Sequence, residues 1–377
     1  MKILHTIYDD VDNPWCGGGG AVRALEINRR MARRHQITLL TGNYPGASPR
    51  ETREGVHIHR IGTNRSYALS RLSYSLLLPR YLRRSTFDLW VYDFSAFAPV
   101  HAPPPLRARA VLVLHHLMGG HALRKYFGVG LLAWAVETVN TRLYPRIIAV
   151  SPGTASRVKS RAGANVDITI IYNGVDASCF TPDVAEADYI LYFGRFDTYN
   201  KGIDLLLKAF ARIGGDHPGV RLILAGRGTQ QRQRELESLC AALNIRDRVE
   251  VTGPVSEARK RELFGNALFT CLPSRYEGWG ITAIEAGAAG KAVIGTDIPG
   301  LSDAIRKDET GLLVPPENPD ALAGAMQHLL RDPETRRRFG RAGREWAGRF
   351  TWDRVALQQE RAYEQAIRKI SKKRRRD

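Results

Sequence analysis

Apolar residues along this chain gather in short blocks of three to six, and between the blocks they recur at three- and four-residue intervals. Short blocks bounded by Gly, Pro, Asn or Asp are strand-like, whereas the longer recurrence is the period of an amphipathic helix. Strands are predicted at 2–7, 36–41, 56–61, 89–92, 111–115, 147–150 and 168–172. A second series follows at 189–193, 221–225, 249–252, 268–272 and 292–294. Helical stretches separate them; residues 21–34, for instance, put Leu25, Ile27, Met31 and Ala32 on one side. Such alternation predicts a doubly wound parallel sheet, and here it runs twice. The two series part at 176–188, where Pro182 and four acidic residues break the apolar pattern. We set the domain boundary between 180 and 181, with a second domain over 181–350. Helices are predicted over 319–330, 334–347 and 351–370.

Length agrees with two domains, since 377 residues exceed one ordinary core. No apolar run approaches the ~18 residues of a membrane span, and residues 1–4 open like a strand rather than a signal peptide. Cys16, Cys179, Cys240 and Cys271 lie far apart with no C-x-x-C pair, so reduced thiols, no zinc site and a cytoplasmic protein are expected. The net charge of +18 is uneven: residues 1–180 carry +12, and the +6 of the remainder lies entirely in the last ten residues. A basic first half and the basic tail 371–377 point to an anionic partner: membrane lipid, a phosphorylated substrate or nucleic acid. Nucleic acid is disfavoured, because aromatics are 8% and no stacking motif appears. The segment Tyr67–Arg84 joins six leucines to four arginines, with Arg65 just ahead. It suits either a membrane surface or a helix packed on the sheet. Lys372, Lys373, Arg374, Arg375 and Arg376 are the second candidate for membrane contact.

The densest candidate chemistry lies at 273–286, Pro-Ser-Arg-Tyr-Glu-Gly-Trp-Gly-Ile-Thr-Ala-Ile-Glu-Ala. Gly278 and Gly280 allow a backbone turn against a ligand, and Ile281, Ile284 and Ala288 start a helix near Gly280. A helix start offers free N–H groups and a positive dipole end to phosphate or sugar oxygens. Glu277 on the loop and Glu285 on the helix could accept hydrogen bonds from several hydroxyls. Arg195 and Lys201 stand six apart on another strand-to-helix loop, a good place to grip a diphosphate. The run 17–20 is four glycines opening a helix, His115 ends an apolar strand with His116 and Gly119-Gly120 beyond, and Ser151-Pro152 reads as a helix cap. Asp10-Val11-Asp12 spells the D-x-D of metal-dependent sugar transferases, but alone the spacing is a very weak signal and a solvated turn is the better reading. No G-x-G-x-x-G follows the first strand, which counts against a dinucleotide site.

With these pieces in order, nearly the whole chain resembles the retaining, nucleotide-sugar-dependent glycosyltransferases of family 4. The landmarks are Gly19-Gly20, His115, Ile148-Ala149-Val150-Ser151, Tyr172-Asn173-Gly174-Val175-Asp176, Gly194-Arg195 with Lys201-Gly202, and Pro273-Ser274 leading to Glu277 and Glu285. The resemblance implies a GT-B fold, two Rossmann-like doubly wound parallel-sheet domains facing across a cleft. The first would be the acceptor side, and helix 351–370 would pack back on it. It implies that Arg195 and Lys201 hold the donor diphosphate, Glu277 faces the transferred sugar, and Glu285 binds the ribose hydroxyls. The backbone around Gly278, Trp279, Gly280 and Ile281 would surround sugar and phosphates. Gly19 and Gly20 would close on the phosphates, and His115 (less so His116) would lie near the sugar. The implied reaction moves a hexose-type sugar from a nucleoside diphosphate, UDP- or GDP-linked, to a lipid-linked, polysaccharide or other glycan hydroxyl. It keeps the anomeric configuration and needs neither cofactor nor metal. The loop 299–303 departs from the family in carrying Asp303 where Glu is frequent. Cytoplasmic placement follows, with peripheral membrane contact as a further expectation. A sugar-nucleotide epimerase or phosphorylase of the same shape remains an alternative, and a basic nucleic-acid-binding protein a remote one.

Overall fold

A computed structural model of the chain describes residues 1–117, 127–163, 166–181 and 184–374. Gly119-Gly120, Pro182 and residues 375–377 of the basic tail lie outside the described residues. The chain divides into two compact units, Met1–Asn173 with Trp352–Asp377, and Gly174–Thr351.

The first unit is built on an eight-stranded sheet in the order β3-β4-β2-β1-β5-β6-β7-β8. Its strands are β1 (Lys2–Thr6), β2 (Gln36–Gly42), β3 (Arg50–Arg53), β4 (Val56–Ile61), β5 (Leu89–Asp93), β6 (Ala110–Leu114), β7 (Arg146–Ala149) and β8 (Asp167–Ile170). Its helices are α1 (Gly19–Met31), α2 (Tyr67–Arg84), α3 (Pro104–Arg107), α4 (Phe127–Leu143) and α5 (Pro152–Lys159). All pairings are parallel except β3 with β4. The sequence pattern gave no sign of β3, because Arg-Glu-Thr-Arg on a sheet edge has no buried face to impose an apolar period. Successive side chains of a strand point to opposite faces, and the core follows that rule. Ile3, Ile37, Val91, Val113 and Ile148 meet α1 and the final helix. Leu4, Leu40, Trp90, Tyr92 and Ile147 meet Tyr74, Leu78 and Leu82 of α2 and Val158 of α5. Ser151 caps α5, its hydroxyl accepting from Thr154 N–H at 3.1 Å.

The second unit holds a parallel sheet in the order β11-β10-β9-β12-β13-β14. Its strands are β9 (Tyr189–Phe193), β10 (Arg221–Ala225), β11 (Val249–Gly253), β12 (Phe269–Leu272), β13 (Ala292–Thr296) and β14 (Gly311–Val314). Its helices are α6 (Thr198–Lys201), α7 (Ile203–Arg212), α8 (Gln230–Ala242), α9 (Glu257–Asn266), α10 (Ile281–Ala288), α11 (Leu301–Ala304), α12 (Pro319–Arg331) and α13 (Pro333–Ala347). The final helix α14 (Trp352–Arg374) belongs to the first unit. It buries Trp352, Val355, Tyr363 and Ala366 beside Ala24 and Ile27 of α1. No helix among the described residues is long and apolar enough to cross a membrane. All four cysteines are free thiols; burial pushes Cys179 up to about 12 and Cys240 up to about 11.

Candidate functional site

Open parallel sheets bind ligands beyond the carboxyl ends of their strands, where the strand order reverses. In the second unit that point falls between β9 and β12. Gly194-Arg195 follows β9 directly and Pro273-Ser274 follows β12, so the topology itself draws the two candidate loops together. Gly202 has φ +63°, and a Cβ there would stand 2.0 Å from the Pro273 carbonyl oxygen. Only glycine permits this approach. Arg275 N–H donates to Asn200 O at 2.9 Å, which ties the loops through backbone.

Lys201 Nζ donates to Glu277 Oε2 at 2.5 Å, and both side chains are partly exposed. Burial alone would push the Glu277 carboxyl up; Lys201, then the Gly278 N–H and the Arg195 charge, reverse this and hold it below the usual carboxylate range. Arg195 is exposed, with its carbonyl fixed by the Tyr192 hydroxyl at 2.8 Å. From behind, Gly300 supports the turn with φ +95°; a Cβ there would come within 2.5 Å of the Glu277 carbonyl oxygen. Gly280 N–H donates to Gly300 O at 3.3 Å. Trp279 is buried against Phe350, ring centroids 5.2 Å apart, so it anchors the turn. Gly280 precedes α10, Ile281 begins it, and Glu285 lies on it.

Glu285 is held by a residue that sequence reading passed over. Lys260 of α9 donates to Glu285 Oε1 at 2.7 Å, the side chains being 15% and 14% exposed. Burial works against the Lys260 ammonium, but Glu285 outweighs it and raises its proton affinity above that of an ordinary lysine. Arg275 was also missed. Its guanidinium takes both Asp204 oxygens at 2.7 and 2.8 Å, bonds Glu317, and donates to the Tyr199 carbonyl at 2.8 Å. It clamps the β12 loop to the α6–α7 turn. A lone Arg beside a glutamate motif gives no sign of such pairing, because Asp204 and Glu317 are distant in sequence.

In the first unit, Gly19 opens α1 and Gly20 follows it. The Asp9 carboxylate accepts from Gly17 N–H at 2.7 Å and Gly18 N–H at 3.0 Å, fixing the glycine turn. A Cβ on Gly20 would stand 3.3 Å from His115 Nε2, so the turn and the histidine adjoin. His115 Nε2 lies 3.2 Å from Asp93 Oδ1, and His5 Nε2 lies 2.8 Å from Asp93 Oδ2. His116 is exposed on the same connection. The D-x-D carboxylates are engaged elsewhere: Asp10 accepts from buried Arg60 at 2.9 Å, and Asp12 pairs with Arg53 at 2.6 Å. Among the described residues, no three His, Cys, Asp or Glu side chains are grouped to hold a metal ion.

Residues 17–178 match the family described as Glycosyltransferase Family 4, and residues 182–346 match Glycosyl transferases group 1. The chain belongs to glycosyltransferase family 4. An uncharacterized glycosyltransferase of Methanocaldococcus jannaschii is 30% identical over 250 residues, covering 62% of this chain and 63% of that protein. The chain thus spans about three-fifths of the length of the curated relatives it matches. A sucrose-phosphate synthase from Thermosynechococcus elongatus superposes with TM-score 0.81 at 24% identity, covering 97% of this chain and 99% of that one. The Anabaena protein Alr3699/HepE, in complex with UDP-glucose, gives TM-score 0.75 at 19% identity over 97% and 100% of the two chains. The fold class of this family 4 member is GT-B, with two α/β units each built on a largely parallel sheet.

Proposed function

We propose that the protein is a retaining glycosyltransferase that moves a hexose from a nucleoside-diphosphate donor to the hydroxyl of a lipid-linked or other glycan acceptor. The observation that carries this is the Lys201–Glu277 contact between two switch-point loops of the second unit, with Arg195 on the first of those loops. Leaving-group departure puts negative charge on the diphosphate, and the cations of Arg195 and Lys201 stabilise that charge where it develops. Lys201 is paired with Glu277; a donor phosphate would compete for the ammonium and leave Glu277 free to take sugar hydroxyls. The first turn of α10 offers N–H groups to the same phosphates, and Glu285, steadied by Lys260, is read as the ribose acceptor. Gly19, Gly20 and His115, which adjoin within the first unit, are read as further donor contacts. In this reading cationic side chains replace a metal, no cofactor is needed, and the leaving phosphate takes the acceptor proton.

The UDP-glucose held by the Anabaena protein supports a UDP-sugar as the first donor to try. The acceptor class is read from the surface of the first unit. The α2 helix buries Ser70, Tyr74, Leu78 and Leu82 and leaves Leu69, Leu72, Leu76 and Leu77 exposed. It holds no acidic residue, and Arg80, Arg83 and Arg84 are exposed at its end. The α4 helix exposes Leu131, Leu132 and Trp134. Exposed leucines bordered by arginines suit the face of an anionic bilayer, where a lipid-linked acceptor resides. The test is release of nucleoside diphosphate from UDP-, GDP- and ADP-sugars, with and without a lipid-linked acceptor and with chelator present. Acceptor-dependent release with an α-linked product from an α-linked donor supports the reading. Release that never depends on acceptor, or an inverted product, overturns it.

A further inference from the structure

A buried polar string runs through the first unit beneath the glycine turn, and the reaction described above leaves its centre unused. Asn28 of α1 is wholly buried, and its Nδ2 lies 2.8 Å from His5 Nδ1. His5 Nε2 lies 2.8 Å from Asp93 Oδ2, and the second Asp93 oxygen lies 3.2 Å from His115 Nε2. Asp93 and His5 are about 2% and 1% exposed, whereas the His115 side chain is 17% exposed. β1 and β5 are the strands at which the first sheet reverses its order, so the string ends where such sheets expose ligands.

The proton assignments follow from donor and acceptor capacity. An ionised carboxylate only accepts, so both imidazoles present N–H to Asp93. Asn28 Nδ2 only donates, so His5 Nδ1 accepts and His5 carries its proton on Nε2. His115 likewise carries a proton on Nε2, which leaves Nδ1 as its variable position. A carboxylate sunk in a core is costly, and apolar residues would pack β5 against its neighbours without that cost.

We propose that Asp93 is a positioning residue for transfer: one buried carboxylate, braced by His5 and Asn28, fixes the ring orientation and tautomer of His115. The inference rests on the reading that His115 meets the donor sugar. Partners that orient a metal-ligating histidine alter affinity or activity about 10- to 100-fold, and orientation of a metal-free histidine by a buried carboxylate is the logic of hydrolase triads.

The experiment is side-chain 15N NMR of histidine-labelled protein, wild type and Asp93→Asn, with kcat and KM for the donor. In the wild type both His5 and His115 are expected as Nε2–H tautomers. An His115 bearing its proton on Nδ1 alone overturns the proposal without any variant. Asp93→Asn, whose amide can donate where the carboxylate accepted, is expected to move His115 toward Nδ1–H. It should also lower kcat about 10- to 100-fold while donor KM changes less than about threefold. An unchanged tautomer, or kcat within threefold of wild type, overturns it. His5→Gln, which keeps an amide donor on the Asp93 carboxylate, should preserve the His115 tautomer; its loss there counts against the string. The NMR arm needs no turnover, so failure of the transferase reading itself would show separately as absent activity in the wild type.

Discussion

At the scale of single residues, some charges are balanced within the protein itself. Arg275 is balanced: two carboxylates and a backbone carbonyl hold it. Arg275→Met should therefore cost stability, about 2–4 kcal/mol by urea unfolding, since it strands Asp204 in a partly buried site. Arg275→Lys should recover little, because an ammonium cannot reproduce the planar fork. Asp93 gives a pH signature. Burial opposes its charge, but the imidazoles of His5 and then His115 outweigh burial and hold the carboxyl well below the usual range. A carboxyl with a depressed folded pKa contributes stability that is complete above its unfolded value of about 3.9 and is lost as pH falls toward the folded value. The stability gap between wild type and Asp93→Asn should shrink as pH falls below ~4. A gap that persists unchanged into stronger acid would show that the carboxylate charge is not what the native state uses.

At the scale of elements, the sites are set by turns that only glycine can make. Gly300 combines a φ of +95° with no space for a Cβ beside Glu277. Gly300→Ala should displace the Glu277 turn and weaken donor binding at least about tenfold, at a cost of about 1–3 kcal/mol in stability. Gly300→Ala with unchanged donor affinity in calorimetry would mean that the turn does not contact the donor. The legibility of the sequence divides along the same line. Periodic elements were readable, because a half-buried strand or helix must repeat its apolar residues: β1, α1, β9 and β12 all lie where the pattern placed them. Loop positions were readable where residue type is restrictive, as at Gly202 and Gly280. What could not be read were partnerships across sequence. Lys260 with Glu285, Arg275 with Asp204, and Asp93 with two histidines carry no local mark, since each pair is made by strand order. The D-x-D pair shows the reverse: its spacing suggested a ligand, whereas Arg60 and Arg53 take both carboxylates.

At the scale of the whole molecule, the +18 charge and the bare leucines of α2 belong to one claim about location. The protein should bind vesicles of phosphatidylglycerol and phosphatidylcholine at low salt, and binding should fade as the screening length shortens. The double change Leu72→Asp and Leu76→Asp should lower vesicle partitioning at least about tenfold, while donor affinity stays within twofold. Partitioning indifferent to that change would move the acceptor into solution. The chemistry rests on a narrower point, that the two loops of the second unit hold a diphosphate. Calorimetric titration of UDP-glucose and UDP into wild type, Arg195→Ala and Lys201→Ala tests it most directly. The account predicts that each variant remains folded and loses about 10- to 100-fold in affinity for both ligands, as expected for a charge-assisted phosphate contact. Equal affinity of wild type and both variants for every nucleotide and nucleotide-sugar that binds at all would contradict it.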